Sequence, residues 1–284
     1  MTIAKSLRWI PVSLMASVFL LASGCGGGGG GSGDDDFPTP RLPADAATFD
    51  AGNASDIANT AVGFVGTLDT LAQLKGETAP SIPLVTRMVI DRSLRGTRNT
   101  DLVAARSEDL SADLCIPSTP NSAVAEIEES GNSASGSFTF SGCNIDGSGI
   151  VINGSFAFIA SANGVTMDYS FQAGGALTVS AAGETITIEM NLQESGNDGT
   201  GDFSTSVSFS LSGIPDSGFL VTTEQPWVGN ALNPLAIEVT DGQLIVHGAS
   251  NTRLSIGVTG INTATVELDE GSGFAFHSTF PFTP

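Results

Sequence analysis

From about Ser135 onward, apolar side chains recur at every second position, and this alternation constrains the fold more than any other feature of the chain. "SGSFTFSG" sets Phe138 and Phe140 between small polar residues. "VTMDYSFQ" places Val165, Met167, Tyr169 and Phe171 on one face. "TITIEMNL" does the same with Ile186, Ile188, Met190 and Leu192, and "FSTSVSFSLS" with Phe203, Val207, Phe209 and Leu211. A period of two is the mark of a strand with one buried face. Asn163-Gly164 and Asp241-Gly242 fall between such runs and predict tight hairpin turns, as do Ala182-Gly183 and Asp198-Gly199. The connections are too short for parallel crossovers. The expectation is a mainly β protein: a large, curved antiparallel meander of roughly ten strands over 135–284.

One apolar face needs a cover. Residues 46–134 read as helical or irregular, and 46–284 as one domain. Ser55 or Asp56 is placed to cap a helix carrying Ile57, Ala61, Phe64, Val65, Leu68, Leu71 and Leu74, with Gly76 ending it. A second helix opens at Ile82-Pro83, and a third short piece runs from Asp101 to Leu114. These N-terminal helices are expected to pack against the apolar face. In architecture alone, the arrangement resembles the half-barrel-plus-helix form of periplasmic lipoprotein carriers.

The N-terminus carries a different message. Lys5 and Arg8 precede an apolar stretch from Trp9 to Leu21, then Ala22, Ser23, Gly24 and Cys25. A mostly apolar stretch of about 13 residues fits a signal peptide and falls short of the roughly 20 that a membrane span needs. The stretch resembles the lipobox of bacterial lipoproteins, with Ala22 where leucine usually stands. The resemblance implies a signal over 1–24, acylation of Cys25 and anchoring in the bacterial cell envelope. Gly26, rather than aspartate, after the cysteine implies the outer membrane by analogy with enteric lipoproteins. Residues 25–45, with a run of six glycines and Gly33, Asp34 to Asp36 and three prolines, read as a flexible, solvated tether with a reach on the order of 25 Å.

The net charge of -20 becomes about -22 once Lys5 and Arg8 leave with the signal. A surface so acidic is a poor match for nucleic acid, whose phosphates need basic contacts. With Cys25 acylated, Cys115 and Cys143 remain as a pair. In an oxidising compartment they suit a disulfide, worth roughly 3.6 kcal/mol in the chain-entropy model, with two buried thiols as the alternative.

The inventory for chemistry is short. His247 and His277 stand alone, without metal-ligand or nucleophile spacing, and no catalytic residue, metal site or cofactor is assigned. "ESGNDGTGD", with Asn197, Asp198 and Asp202, offers oxygens but lacks a calcium-loop pattern. Glu126, Glu128 and Glu129 read as a solvated acidic patch. Arg87, Arg92, Arg95, Arg98 and Arg106 cluster within 20 residues. On a helix Arg87, Asp91 and Arg95 would alternate in sign, so Arg87 and Arg95 are candidate contacts for an anionic partner. Trp227, in the proline-bounded "EQPWVGNALNP", is a candidate ligand contact in an irregular loop. The leading expectation is a non-enzymatic, lipid-anchored envelope protein binding an apolar ligand or an envelope partner. The alternatives are a structural or surface-adhesive lipoprotein with a filled core, and a hydrolase with an unrecognised site.

Overall fold

The computed structural model describes residues 37–70 and, with gaps at 110, 112–114, 117–118, 121, 146–149, 182, 214–215 and 233–236, residues 104–282. The fold is mainly β. Twelve strands form one antiparallel sheet in which each pairs with its neighbours in sequence, so the spatial order is the chain order. They are β1 (Ala104–Asp109), β2 (Ala123–Ser130), β3 (Ser133–Ile145), β4 (Ile150–Ala162), β5 (Asp168–Ala181), β6 (Glu184–Asn197), β7 (Asp202–Ser212), β8 (Phe219–Asn230), β9 (Glu238–His247), β10 (Arg253–Gly260), β11 (Thr263–Asp269) and β12 (Ala275–Pro281). Among the described residues the sheet is open, with β1 and β12 as its edges.

The alternation does what its period requires. Phe138, Phe156, Phe158, Leu177, Ile188, Phe209, Val246 and Ile256 all lie on the inner face and belong to one continuous core. Phe138 stacks on its cross-strand partner Phe156 at 5.1 Å between centroids. Burying side chains of this size stabilises by roughly 1.5–3 kcal/mol each. The outer face is lined by hydroxyls that bond across strands, such as Ser161 with Ser170 at 2.7 Å and Ser180 with Thr185 at 2.8 Å.

Among the described residues there is one α-helix, α1 (Ala54–Thr70), where the sequence predicts several packed on the sheet. Ala54, Ile57, Ala58, Ala61 and Val62 are buried, the i, i+3, i+4, i+7, i+8 stripe of a helix with one covered face. They bring α1 against β10 and β11. The loop before it is fixed by Asp50, whose Oδ1 accepts from the Gly52 and Asn53 amides at 2.7 and 3.1 Å. The second predicted helix lies outside the described residues. The third is corrected: Asp101 to Leu114 contains edge strand β1, paired with β2. The acidic "AEIEES" is the body of β2, because Ala123, Ala125 and Ile127 turn inward at alternate positions while Glu126 is exposed. Two strands therefore precede the expected start of the sheet.

The end of the tether segment is placed on the sheet. Phe37 lies over Gly174 of β5, where a Cβ would come within 2.9 Å of its ring. The chain then crosses the outer face to the β7–β8 turn. There Asp45 Oδ2 accepts from the Gly213 amide at 2.6 Å, and Ala47 donates to Gly218 at 2.7 Å. It rounds that end of the sheet, where the Phe49 amide meets Thr252 Oγ1 at 2.9 Å, and enters α1.

Candidate functional site

Cys115 and Cys143 form a disulfide. The alternation alone would point Cys143 away from Phe138 and Phe140, since it is an odd position following even ones. A register shift between Phe140 and Cys143 adds a residue to β3, a bulge helped by Gly142 at φ 64°, and returns Cys143 to the inner face. The bridge ties the β1–β2 connection to β3, supported by an Ile116 amide to Asn144 carbonyl bond of 2.7 Å.

Trp227 is not in a loop. It lies within β8, 3% exposed, with its ring 5.2 Å from that of Phe282. Pro226 is accommodated because β8 and β9 slip register three times between Thr223 and Gly229. Such bulges free individual amides from the ladder, which lets proline remain in a strand. Asp241-Gly242, read as a hairpin turn, is likewise inside β9. Gly242 takes φ 134°, and a Cβ there would sit 2.4 Å from Trp227 Cδ1. The glycine marks a close approach of the indole rather than a chain reversal.

Cys25, Arg87, Arg92, Arg95 and Arg98 lie outside the described residues; Arg106 falls in β1, opposite Ile127. Arg253 is half-exposed and pairs with buried Asp269 at 2.6 Å, while its guanidinium lies 4.9 Å from the centre of the Phe274 ring. Asp269 Oδ1 also accepts from the Gly271 and Gly273 amides, both at 2.8 Å. The Arg253 bond first, then the two amides, hold this carboxyl down at about 2. The histidines are apart. His247 Nε2 meets Thr222 Oγ1 at 2.8 Å on the outer face. Burial, aided by Arg253, lowers its pKa against the pull of Glu224. His277 Nε2 meets Ser55 Oγ of α1 at 3.0 Å.

In "NDGTG" the side-chain oxygens of Asn197 and Thr200 are engaged in turn bonds. Asn197 Oδ1 accepts from the Gly199 and Thr200 amides at 2.9 and 3.1 Å. Its Nδ2 reaches back to the preceding turn, to the Thr166 carbonyl at 2.8 Å and to Asp168 at 2.7 Å. Asn230 repeats the reach one hairpin on, to the Thr200 carbonyl and Asp202, both at 2.9 Å. Bonds from Thr166 and Asn197 lower the pKa of Asp168, and bonds from Thr200 and Asn230 lower that of Asp202. Among the described residues no three metal-binding side chains converge.

One polar cluster stood unnoticed in the sequence. Glu194 is buried on the inner face, accepting from Tyr169 Oη at 3.0 Å and lying 3.5 Å from Thr205 Oγ1. It joins β5, β6 and β7. The signal was available, because Ile186, Ile188, Met190 and Leu192 continue in step to Glu194. A glutamate on the buried phase of a strand needs donors, and the tyrosine and threonine in adjacent strands supply them.

No protein-family profile, no curated protein and no solved structure matches this chain.

Proposed function

We propose that the chain is a non-enzymatic envelope lipoprotein, anchored through Cys25, whose β body is a filled scaffold that presents its outer surfaces to an envelope partner. The observation that carries this reading is the state of the inner face. Ile152, Phe158, Ile188, Phe209, Leu244, Leu254 and Ile256, on strands from β4 to β10, are each almost wholly enclosed. An apolar-ligand carrier would need such residues to line a groove. The lipobox-like segment supports export, and the Cys115–Cys143 disulfide suits an oxidising compartment. The polar clusters around Glu194 and Asp269 serve as braces between strands in this reading.

Two measurements test it. Metabolic palmitate labelling should be lost in Cys25→Ser; labelling that persists in the variant rejects the anchor. Trp227 is the one tryptophan left after Trp9 departs with the signal. Its enclosed indole should emit at short wavelength in the ligand-free protein and stay unmoved when detergent monomers are titrated below their micelle concentration. A shift on titration would restore the apolar-ligand reading.

A further inference from the structure

Alternate hairpin connections collect at one end of the antiparallel sheet, with described residues 131–132, 163–167, 198–201, 231–232 with 237, and 261–262. Four large apolar side chains project from three of them. Val165 is 91% exposed, Met167 52%, Leu232 62% and Ile261 60%. Apolar side chains this bare at loop tips gain nothing for folding. The tips are also close neighbours. A Cβ on Gly199 would lie 3.0 Å from Met167 Sδ, and one on Gly201 2.6 Å from Leu232 Cβ. Asn262 ties the 261–262 turn to Ile237 and Val239, both at 2.8 Å.

The charge at this end is as informative as the apolarity. In a chain with 30 acidic residues, Asp198 is the only charged residue among the described positions of these five turns. Three carboxylates stand at the strand ends behind them: Asp168 and Asp202, hydrogen-bonded to Asn197 and Asn230, and the exposed Glu238. The tips themselves form a low-charge apolar edge, with the acidic body beginning at the strand ends behind them.

The geometry points to a lipid surface as its occupant: we propose that Val165, Met167, Leu232 and Ile261 seat this end of the sheet on the bilayer that holds the Cys25 acyl group. The proposal rests on the lipoprotein reading, and the chain outside the structure has the right length. Eleven residues separate Cys25 from Phe37, which sits over Gly174. A Gly-rich link of that length has a root-mean-square span of about 19 Å. Gly174 lies six strand residues from Asp168 at the rim, about 20 Å at the usual rise. The tether therefore reaches the membrane when the rim touches it. Because the rest of the body is acidic, the rim favours a zwitterionic surface over an anionic one.

The test uses the mature chain carrying Cys25→Ser, so that no acyl chain contributes, and phosphatidylcholine vesicles in a co-sedimentation assay. The protein should sediment with the vesicles, and added phosphatidylglycerol should weaken binding. Replacing the four rim residues with serine should lower the partition coefficient at least ten-fold. Ile116→Ser with Phe276→Ser, at the opposite end, should leave it unchanged, with circular dichroism confirming that each variant folds. No vesicle binding, equal loss in the control, or a dimer in analytical ultracentrifugation that the rim variant abolishes would overturn the proposal. Palmitate labelling of the unsubstituted chain reports the anchor separately, so failure of the rim and failure of the lipoprotein reading are distinct results.

Discussion

Trp227 and Gly242 are best understood as one unit. The indole lies across β9 only because residue 242 has no Cβ, and the backbone there occupies a positive φ that other residues adopt at a cost. Gly242→Ala combines overpacking against the ring with backbone strain, and we expect it to destabilise the protein by about 3 kcal/mol. A fall in the urea midpoint without a change in slope would show this; an unchanged midpoint would mean that β9 can slide away from the ring. The dipeptide Asp241-Gly242 has the composition of a turn, yet it lies in a strand. Local chemistry asks for a positive φ at the glycine, and a register slip answers that request as well as a hairpin does. Glu194 gives the converse case. Its place on the buried phase of β6 was legible, but its donors Tyr169 and Thr205 lie 25 and 11 residues away in sequence, and only strand pairing joins them.

The β11–β12 hairpin shows how an element is pinned by one carboxylate. Asp269 ends β11, accepts from two turn amides and holds Arg253 of β10, so three successive elements depend on its charge. Its pKa is held at about 2 in the folded protein, against about 3.9 in an unfolded chain. The contribution is therefore complete above about pH 4. As pH falls from about 4 to about 2 the unfolded chain takes up the proton first, and the stabilisation is lost through the folded pKa. Asp269→Asn should have a shallower loss of stability across this window than the unsubstituted protein, measured by urea unfolding at a series of pH values. Parallel curves would mean that the pair is screened. The Asn197 and Asn230 stitches act at the same scale, each fastening one hairpin turn to the one before it.

At the scale of the molecule, the core that includes α1 is one large cluster extending through the sheet from β2 to β11, with Ala160 and Tyr169 as a small satellite joined to it by Phe171. A core dominated by one cluster predicts one cooperative transition, with Trp227 emission and far-ultraviolet circular dichroism changing together. The Cys115–Cys143 bridge lies within that core. Replacing both cysteines with alanine should therefore shift the two probes as one, lowering stability by roughly 3.6 kcal/mol. Separate transitions for the two probes would mean that β1 to β3 unfold apart from the rest. The crossing of Phe37 to Ala46 over the outer face adds a belt that closes one end of the sheet and directs the chain into α1.

The period-two pattern by itself determined that the chain forms a large antiparallel meander, because alternation at this length has no other way to bury one face with such short connections. It also identified inner-face residues of four strands: Phe138 and Phe140 in β3, Tyr169 and Phe171 in β5, Ile186 to Leu192 in β6 and Phe203 to Leu211 in β7. It did not determine where strands replace helix. Ala104 to Asp109 has no strong alternation of its own and becomes a strand because β2 offers an open edge. Nor did it determine where the pattern breaks. Val165 and Met167 are in phase with Tyr169 and Phe171, yet they lie beyond the last paired residues and point into solvent. The bulges in β3 and β8 reset the phase for Cys143 and Trp227. Phase along one strand is a local property of the sequence, whereas register between strands is set by the packing of all twelve. That is why the face of the sheet could be read residue by residue, while its ends, its bulges and the low-charge rim were decided only in the folded protein.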